Sequence, residues 1–116
     1  MELFTFVDNF DNGNPIRVRA RIELISTEAG GRTKPIGQRY RPNHNFGTEE
    51  NRSFYIGQID IPEETQLHPG ENKEANVTFL SGPGLREKIA VGTVWRIQEG
   101  QWLVGTGEIL EVLNDA

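Results

Sequence analysis

The stretch "RVRARIELI" at residues 17–25 decides the predicted fold, because apolar and charged residues alternate along it as far as Leu24. The apolar positions are Val18, Ala20, Ile22 and Leu24, and the positions between them are Arg17, Arg19, Arg21 and Glu23. Successive side chains of a β-strand point to opposite faces, so this period of two predicts a strand with one buried face and one wet face.

Four further runs are rich in β-branched and aromatic residues, and turn residues bound them. They are "SFYIGQIDI" (53–61), "EANVTFL" (74–80), "KIAVGTVWRIQ" (88–98) and "QWLVGTGEILEVL" (101–113). The last two are separated by Glu99 and Gly100, a turn suited to a hairpin. No long stretch carries a helical apolar stripe. The sequence therefore predicts one all-β domain, either an antiparallel barrel or a sandwich.

The composition excludes several classes of function. The chain has 116 residues and no cysteine, so disulfides and thiolate chemistry are absent. A net charge of -5 argues against general nucleic-acid binding, which needs clustered Lys and Arg. The first residues contain neither a signal peptide nor an apolar run that could span a membrane, so we expect a cytoplasmic protein with no membrane partner.

No set of residues predicts catalysis, a metal or a cofactor. His44 and His68 are the only histidines, and neither has metal-ligand spacing. No serine lies in a nucleophile elbow, and the paired glutamates at 49–50 and 63–64 lie in predicted loops. We therefore expect a protein that is not an enzyme. A small-molecule or enzymatic barrel is a lower alternative, because a closed barrel of this size has little interior volume.

Several motifs in order resemble one known family. The run "GGRTKPIGQRYRPN" (30–43) resembles the "GGR…P…YRPQ" region of the C-terminal barrel, domain III, of translation elongation factor Tu. Further along, "HPGEN" (68–72) resembles that domain's "PGDN" turn. The segment "IQEGQWLVGTGEILEVL" (97–113) resembles its closing "IREGGRTVGAGVV" hairpin.

This resemblance implies a single six-stranded antiparallel, Greek-key-like β-barrel over residues 16–113. Residues 1–15 would then form an N-terminal extension or an extra strand, and residues 114–116 a tail. The chain lacks the GxxxxGK[ST] phosphate loop of the family's GTPase domain, so we expect no GTP binding by this chain alone.

The resemblance also implies a binding surface. In the family, the loop over residues 28–43 and the closing hairpin lie near surfaces used for the GTPase domain and for aminoacyl-tRNA. The candidate residues for binding a macromolecule are Arg32, Arg39, Tyr40, Arg41, Asn43, Gln98 and Trp102. Gln98 and Trp102 stand where the family has two arginines, and Gly47 stands where it has a third. Two structural alternatives remain: Arg41 holds the loop on the barrel, and Trp102 packs on the barrel end.

Two functions follow as hypotheses. The first is a non-enzymatic binding module that engages a protein partner of the translation machinery or mimics the factor. The second is a small barrel that binds tRNA or another RNA, which the acidic net charge and the missing arginines make less favourable. A lower alternative within the first class is a decoy or immunity-type protein against a toxin that exploits the factor.

Overall fold

The computed structural model describes residues 13–113, which form one closed six-stranded antiparallel β-barrel. The strands are β1 (Ile16–Leu24), β2 (Asn43–Asn45), β3 (Tyr55–Asp60), β4 (Asn72–Phe79), β5 (Val94–Glu99) and β6 (Trp102–Val112). A short 3-10 turn, Arg86–Lys88, lies between β4 and β5. The all-β barrel fold is therefore confirmed.

The strand order around the barrel is β1-β4-β3-β2-β5-β6, and β6 returns to pair with β1. Strands β2, β3 and β4 are consecutive neighbours, while β1 lies beside β4. This is the Greek-key arrangement, in which one strand joins the other three through a long connection. Here that connection runs over residues 25–42 and is called the long connection below.

Strand β1 has the burial pattern that its alternating sequence predicts. Its apolar residues are buried, and its charged residues point outward. On the outer face, Arg19 forms ion pairs with Glu74 on β4 and Glu111 on β6. Because these groups are exposed, the pairs add little to stability, and the buried apolar side chains hold the strand in place.

A histidine lies at the centre of the barrel. The indole N–H of Trp95 donates a hydrogen bond to Nδ1 of His44 at 3.0 Å. On the other side of the ring, Nε2 lies 3.0 Å from the carbonyl oxygen of Gly57. Since the indole nitrogen only donates, Nδ1 accepts, and the ring is neutral with its proton on Nε2. Burial lowers the pKa of His44 to about 4. His44 is therefore part of the core.

Glycines inside two strands make room for these large rings. A Cβ added to Gly107 on β6 would lie 2.5 Å from Cη2 of Trp95. A Cβ added to Gly57 on β3 would lie 2.9 Å from Cδ1 of Phe79. Both distances are too short for any side chain, so the aromatic core requires glycine at these positions.

The structure differs from the sequence prediction in two places. The strand predicted over residues 88–98 begins only at Val94. The preceding residues turn instead, because Thr93 donates its N–H to the Ala90 carbonyl and Gly92 has a φ of 93°. Strand β2 was not recognised from the pattern, since its three polar residues carry no strand signal. Most of the segment expected to be an N-terminal extension or extra strand, residues 1–12, and the predicted tail lie outside the described residues.

Candidate binding surface

The long connection crosses one end of the barrel and is attached at two points, one in the β3–β4 connection and one on β3. Ile36 exchanges backbone hydrogen bonds of 2.9 Å with Leu67. Tyr40 and Ile59 on β3 exchange backbone hydrogen bonds of 3.2 and 2.8 Å. These attachments position the side chains of the connection beside the β5–β6 hairpin.

Two glycines shape the start of the connection. Gly30 has a φ of 101°, a conformation that glycine adopts without strain. A Cβ on Gly31 would lie only 2.1 Å from the carbonyl oxygen of Ile25. The chain therefore reverses closely against the end of β1, and the reversal directs Arg32 toward the hairpin.

Arg32 and Tyr40 meet on one carboxylate, that of Glu99 at the end of β5. The Arg32 guanidinium pairs with Glu99, and the Tyr40 hydroxyl donates to Oε2 of Glu99 at 2.5 Å. The Arg32 guanidinium carbon also lies 5.4 Å from the centre of the Tyr40 ring. Burial raises the pKa of Tyr40, and the hydrogen bond to Glu99 raises it further. Tyr40 is thus a neutral donor, and the charge of Arg32 is matched.

Trp102 lies at the exposed edge of this cluster. Its indole N–H donates to the carbonyl oxygen of Gly30 at 2.8 Å, yet 45% of the residue's surface remains exposed. Beside the ring is a depression of about 200 Å³. Its lining residues define the barrel-end face: Arg32, Thr33, Lys34 and Trp102. The face combines a large apolar ring in one fixed orientation with two cationic side chains.

Three other predicted site residues do not line this face. Arg41 is on the side wall, where its Nε donates to Oε1 of Gln58 at 2.9 Å. Asn43 opens β2 and lies opposite Ile56. Arg39 is exposed and has a φ of 65°. The structure therefore brings together Arg32, Tyr40 and Trp102, whereas Arg39, Arg41 and Asn43 do not line the barrel-end face.

The seventh candidate, Gln98, is buried. Its Oε1 accepts hydrogen bonds from Asn45 at 2.8 Å and from Arg96 at 3.1 Å. Its Nε2 donates to the Gly100 carbonyl at 3.0 Å. Because only 1% of Gln98 is exposed, its amide supports the hairpin and is not presented to a partner.

Sequence reasoning missed the residue that organises the cluster. The sequence pattern predicts Glu99 only as part of the hairpin turn. Its partners Arg32 and Tyr40 are 67 and 59 residues earlier in the chain. A pairing at that separation leaves no local signal in a single sequence, whereas the glycine pair that precedes Arg32 is visible.

Among residues 13–113, no three His, Asp or Glu side chains are grouped so that they could hold a metal ion. Within the same residues, no helix has the length and apolar character needed to cross a membrane.

A comparison of the chain with models of known protein families found no family that matches. The relation to elongation factor Tu therefore remains a hypothesis, and it rests on the quoted motifs.

Proposed function

We propose that this protein is a non-enzymatic binding module whose barrel-end face engages a protein partner. The observation that carries the proposal is Trp102, which is 45% exposed while its indole N–H is hydrogen-bonded to Gly30. A large aromatic ring that is already oriented loses little conformational freedom on binding. Tryptophan and arginine are also the residues that contribute most to protein interfaces.

The charges of the face favour a protein over RNA as partner. Arg32 is paired with Glu99, so it contributes less to binding phosphates than a free arginine would. Lys34 adds one cation, and the chain as a whole carries a net charge of -5. Specific recognition would thus depend on the indole ring, with the cations selecting acidic groups at the rim.

The resemblance to elongation factor Tu directs the proposal to the translation machinery. A barrel that resembles domain III would present loops similar to those of the factor. The partner would then be a protein that normally meets the factor, and the module would either recruit it or mimic the factor toward it. A toxin that exploits the factor is one such protein.

The proposal is tested by capture from native lysate with wild type, Trp102→Ala and Val91→Ala. Val91 is 68% exposed and precedes β5, so it lies at the opposite end of the barrel and serves as the matched control. Wild type and the control should capture the same protein, and Trp102→Ala should lose it. The captured partner is then purified, and its affinity is measured at two salt concentrations.

Two results would contradict the proposal. One is equal capture by all three proteins. The other is recovery of RNA alone with an affinity that falls steeply with salt, which would favour the RNA-binding alternative.

A further inference from the structure

The side wall of the barrel carries an open groove that is separate from the barrel-end face. It lies on the outside of β3 and β4 and has a volume of about 360 Å³. The residues that line this side-wall groove are Arg41, Ile56, Gly57, Gln58, Thr78 and Leu80. Its size is in the range of sites that hold small ligands or short peptide segments.

One end of the groove is apolar. Ile56 on β3 is 37% exposed, and Leu80, just after β4, is 41% exposed. The backbone N–H of Leu80 donates to the Ile56 carbonyl at 2.9 Å, so the two residues are neighbours. Two exposed branched side chains on neighbouring residues favour a ligand with a bulky apolar group.

The other end carries a positive charge that has no carboxylate partner among residues 13–113. Arg41 uses its Nε to donate to Gln58, a neutral amide, and forms no ion pair with any of residues 13–113. The nearby carboxylate of Asp60 accepts a hydrogen bond of 2.6 Å from the same Gln58 amide. The terminal nitrogens of Arg41 therefore remain for an anion, and a carboxylate fits the guanidinium fork best.

The strand positions set the distance between the two ends. Tyr40 pairs with Ile59, which places Arg41 beside Gln58, and Gln58 pairs with Thr78 on β4. Arg41 is thus separated from β4 by two strand spacings, roughly 10 Å. A peptide in the extended polyproline II conformation has three residues per turn, so it covers this distance in about three residues and presents its first and fourth side chains on the same face. Between the ends, Gln58 and Thr78 offer the polar groups that a peptide backbone requires.

We propose that the side-wall groove binds an extended segment of a partner protein that has an acidic side chain at one position and a bulky apolar side chain three residues later. Arg41 holds the carboxylate, and Ile56 with Leu80 hold the apolar side chain. This site goes beyond the function proposed above and does not depend on Trp102.

The test is an NMR titration of the full chain with the peptide acetyl-Asp-Ser-Ser-Leu-amide. Two matched peptides carry Asn in place of Asp, or Ser in place of Leu. We expect the first peptide to shift the methyl signals of Ile56 and Leu80 and the Nε–H signal of Arg41. The Asn and Ser peptides should each bind roughly tenfold more weakly, because each loses one of the two contacts.

Variants separate the two contacts. Arg41→Gln should remove the difference between the Asp and Asn peptides, and Leu80→Ser should weaken both. Arg39→Gln, which removes an exposed arginine two residues before Arg41, should change nothing, and neither should Trp102→Ala. Insensitivity to Trp102→Ala keeps this result independent of the barrel-end proposal.

Four outcomes would overturn the proposal. The first is that the methyl signals of Ile56 and Leu80 stay unchanged at millimolar peptide. The second is that the wild-type protein binds the Asp and Asn peptides equally. In the free protein, contacts between these methyl groups and the rings of Phe4, Phe6 or Phe10 would mean that the chain's own N-terminal residues fill the groove. Shifts that depend on protein concentration would mean that a second copy does.

Discussion

The indole N–H of Trp102 donates a hydrogen bond of 2.8 Å to the carbonyl oxygen of Gly30. This contact joins the β5–β6 hairpin to the long connection, two segments far apart in the sequence. It satisfies the polar group of the ring and leaves much of its apolar surface in solvent. The binding proposal depends on this arrangement, because it explains why a tryptophan is ordered at an exposed position.

Replacing Trp102 should weaken partner binding while the barrel remains folded. Trp102→Ala should weaken partner binding at least about thirtyfold, because an oriented tryptophan at an interface centre contributes about 2 kcal/mol or more. Trp102→Phe keeps an aromatic ring but loses the hydrogen bond to Gly30, so its affinity should be intermediate. Calorimetric titration measures the affinities. Unchanged affinity of Trp102→Ala would place the partner elsewhere on the barrel.

Removing the charge of Glu99 should destabilise the barrel end. Glu99→Gln leaves the part-buried Arg32 without its carboxylate, and we expect a loss of about 1–2 kcal/mol in the free energy of unfolding. Glu74→Gln breaks an exposed pair with Arg19 and is the matched control, with a much smaller effect. Urea unfolding measures both. Equal losses of unfolding free energy in the two variants would mean that the Arg32–Glu99 pair stabilises the protein no more than an exposed pair does.

The neutral state of His44 predicts how stability depends on pH. Its pKa is about 4 in the folded protein and 6.5 as a free side chain, so the unfolded chain binds more protons between these values. Stability should therefore fall as the pH is lowered from 6.5 toward 4, by about 3 kcal/mol in total from this group. Well above pH 6.5 the ring is neutral in both states, so the group has no effect on stability there.

The contribution of His44 is isolated by comparing wild type with His44→Gln in urea unfolding across that pH range. The slope of stability against pH should be shallower in the variant. His68→Gln removes the other histidine, whose side chain is 55% exposed, and serves as the matched control. NMR of the His44 ring in the wild type gives a second reading. Titration of the ring near pH 6.5 would contradict the account.

The contact between Gly107 and Trp95 predicts a sharp difference between two glycines. Gly107→Ala forces a methyl group into the indole ring, and we expect a loss of about 1–3 kcal/mol in the free energy of unfolding. At Gly37 an added Cβ would meet nothing within 4 Å, so Gly37→Ala should be nearly neutral. Chemical unfolding compares the two variants. A neutral Gly107→Ala would mean that the core is not closely packed there.

Much of the fold follows from local patterns. Alternation in β1 and a hairpin turn between β5 and β6 are visible because each depends on neighbouring residues, although the turn lies at Gly100 and Gln101 and Glu99 ends β5. Strand β2 is not visible, since its central residue, His44, is held in the core by distant residues, among them Trp95 and Gly57. Polar residues that are buried through contacts with distant partners produce no periodic pattern in the sequence.

Part of the candidate site could likewise be predicted from local motifs, and part could not. Arg32 and Trp102 were predicted from their motifs, and the structure places both on the barrel-end face. Gln98 comes from the same hairpin, but a register shift between Ile97 and Gln98 accompanies its burial under Asn45. Whether a hairpin residue faces solvent or interior depends on such irregularities, and these cannot be read from residue types alone.

A photo-crosslinking measurement tests the central claim most directly. Lys34→p-benzoylphenylalanine places the reactive group in the depression beside Trp102 and leaves the indole hydrogen bond intact, while the same substitution at Val91 is the control at the opposite end. On irradiation in cells, position 34 should form a covalent adduct with one discrete protein, and position 91 should not. An adduct of equal yield from both positions, or none from position 34, would contradict the account.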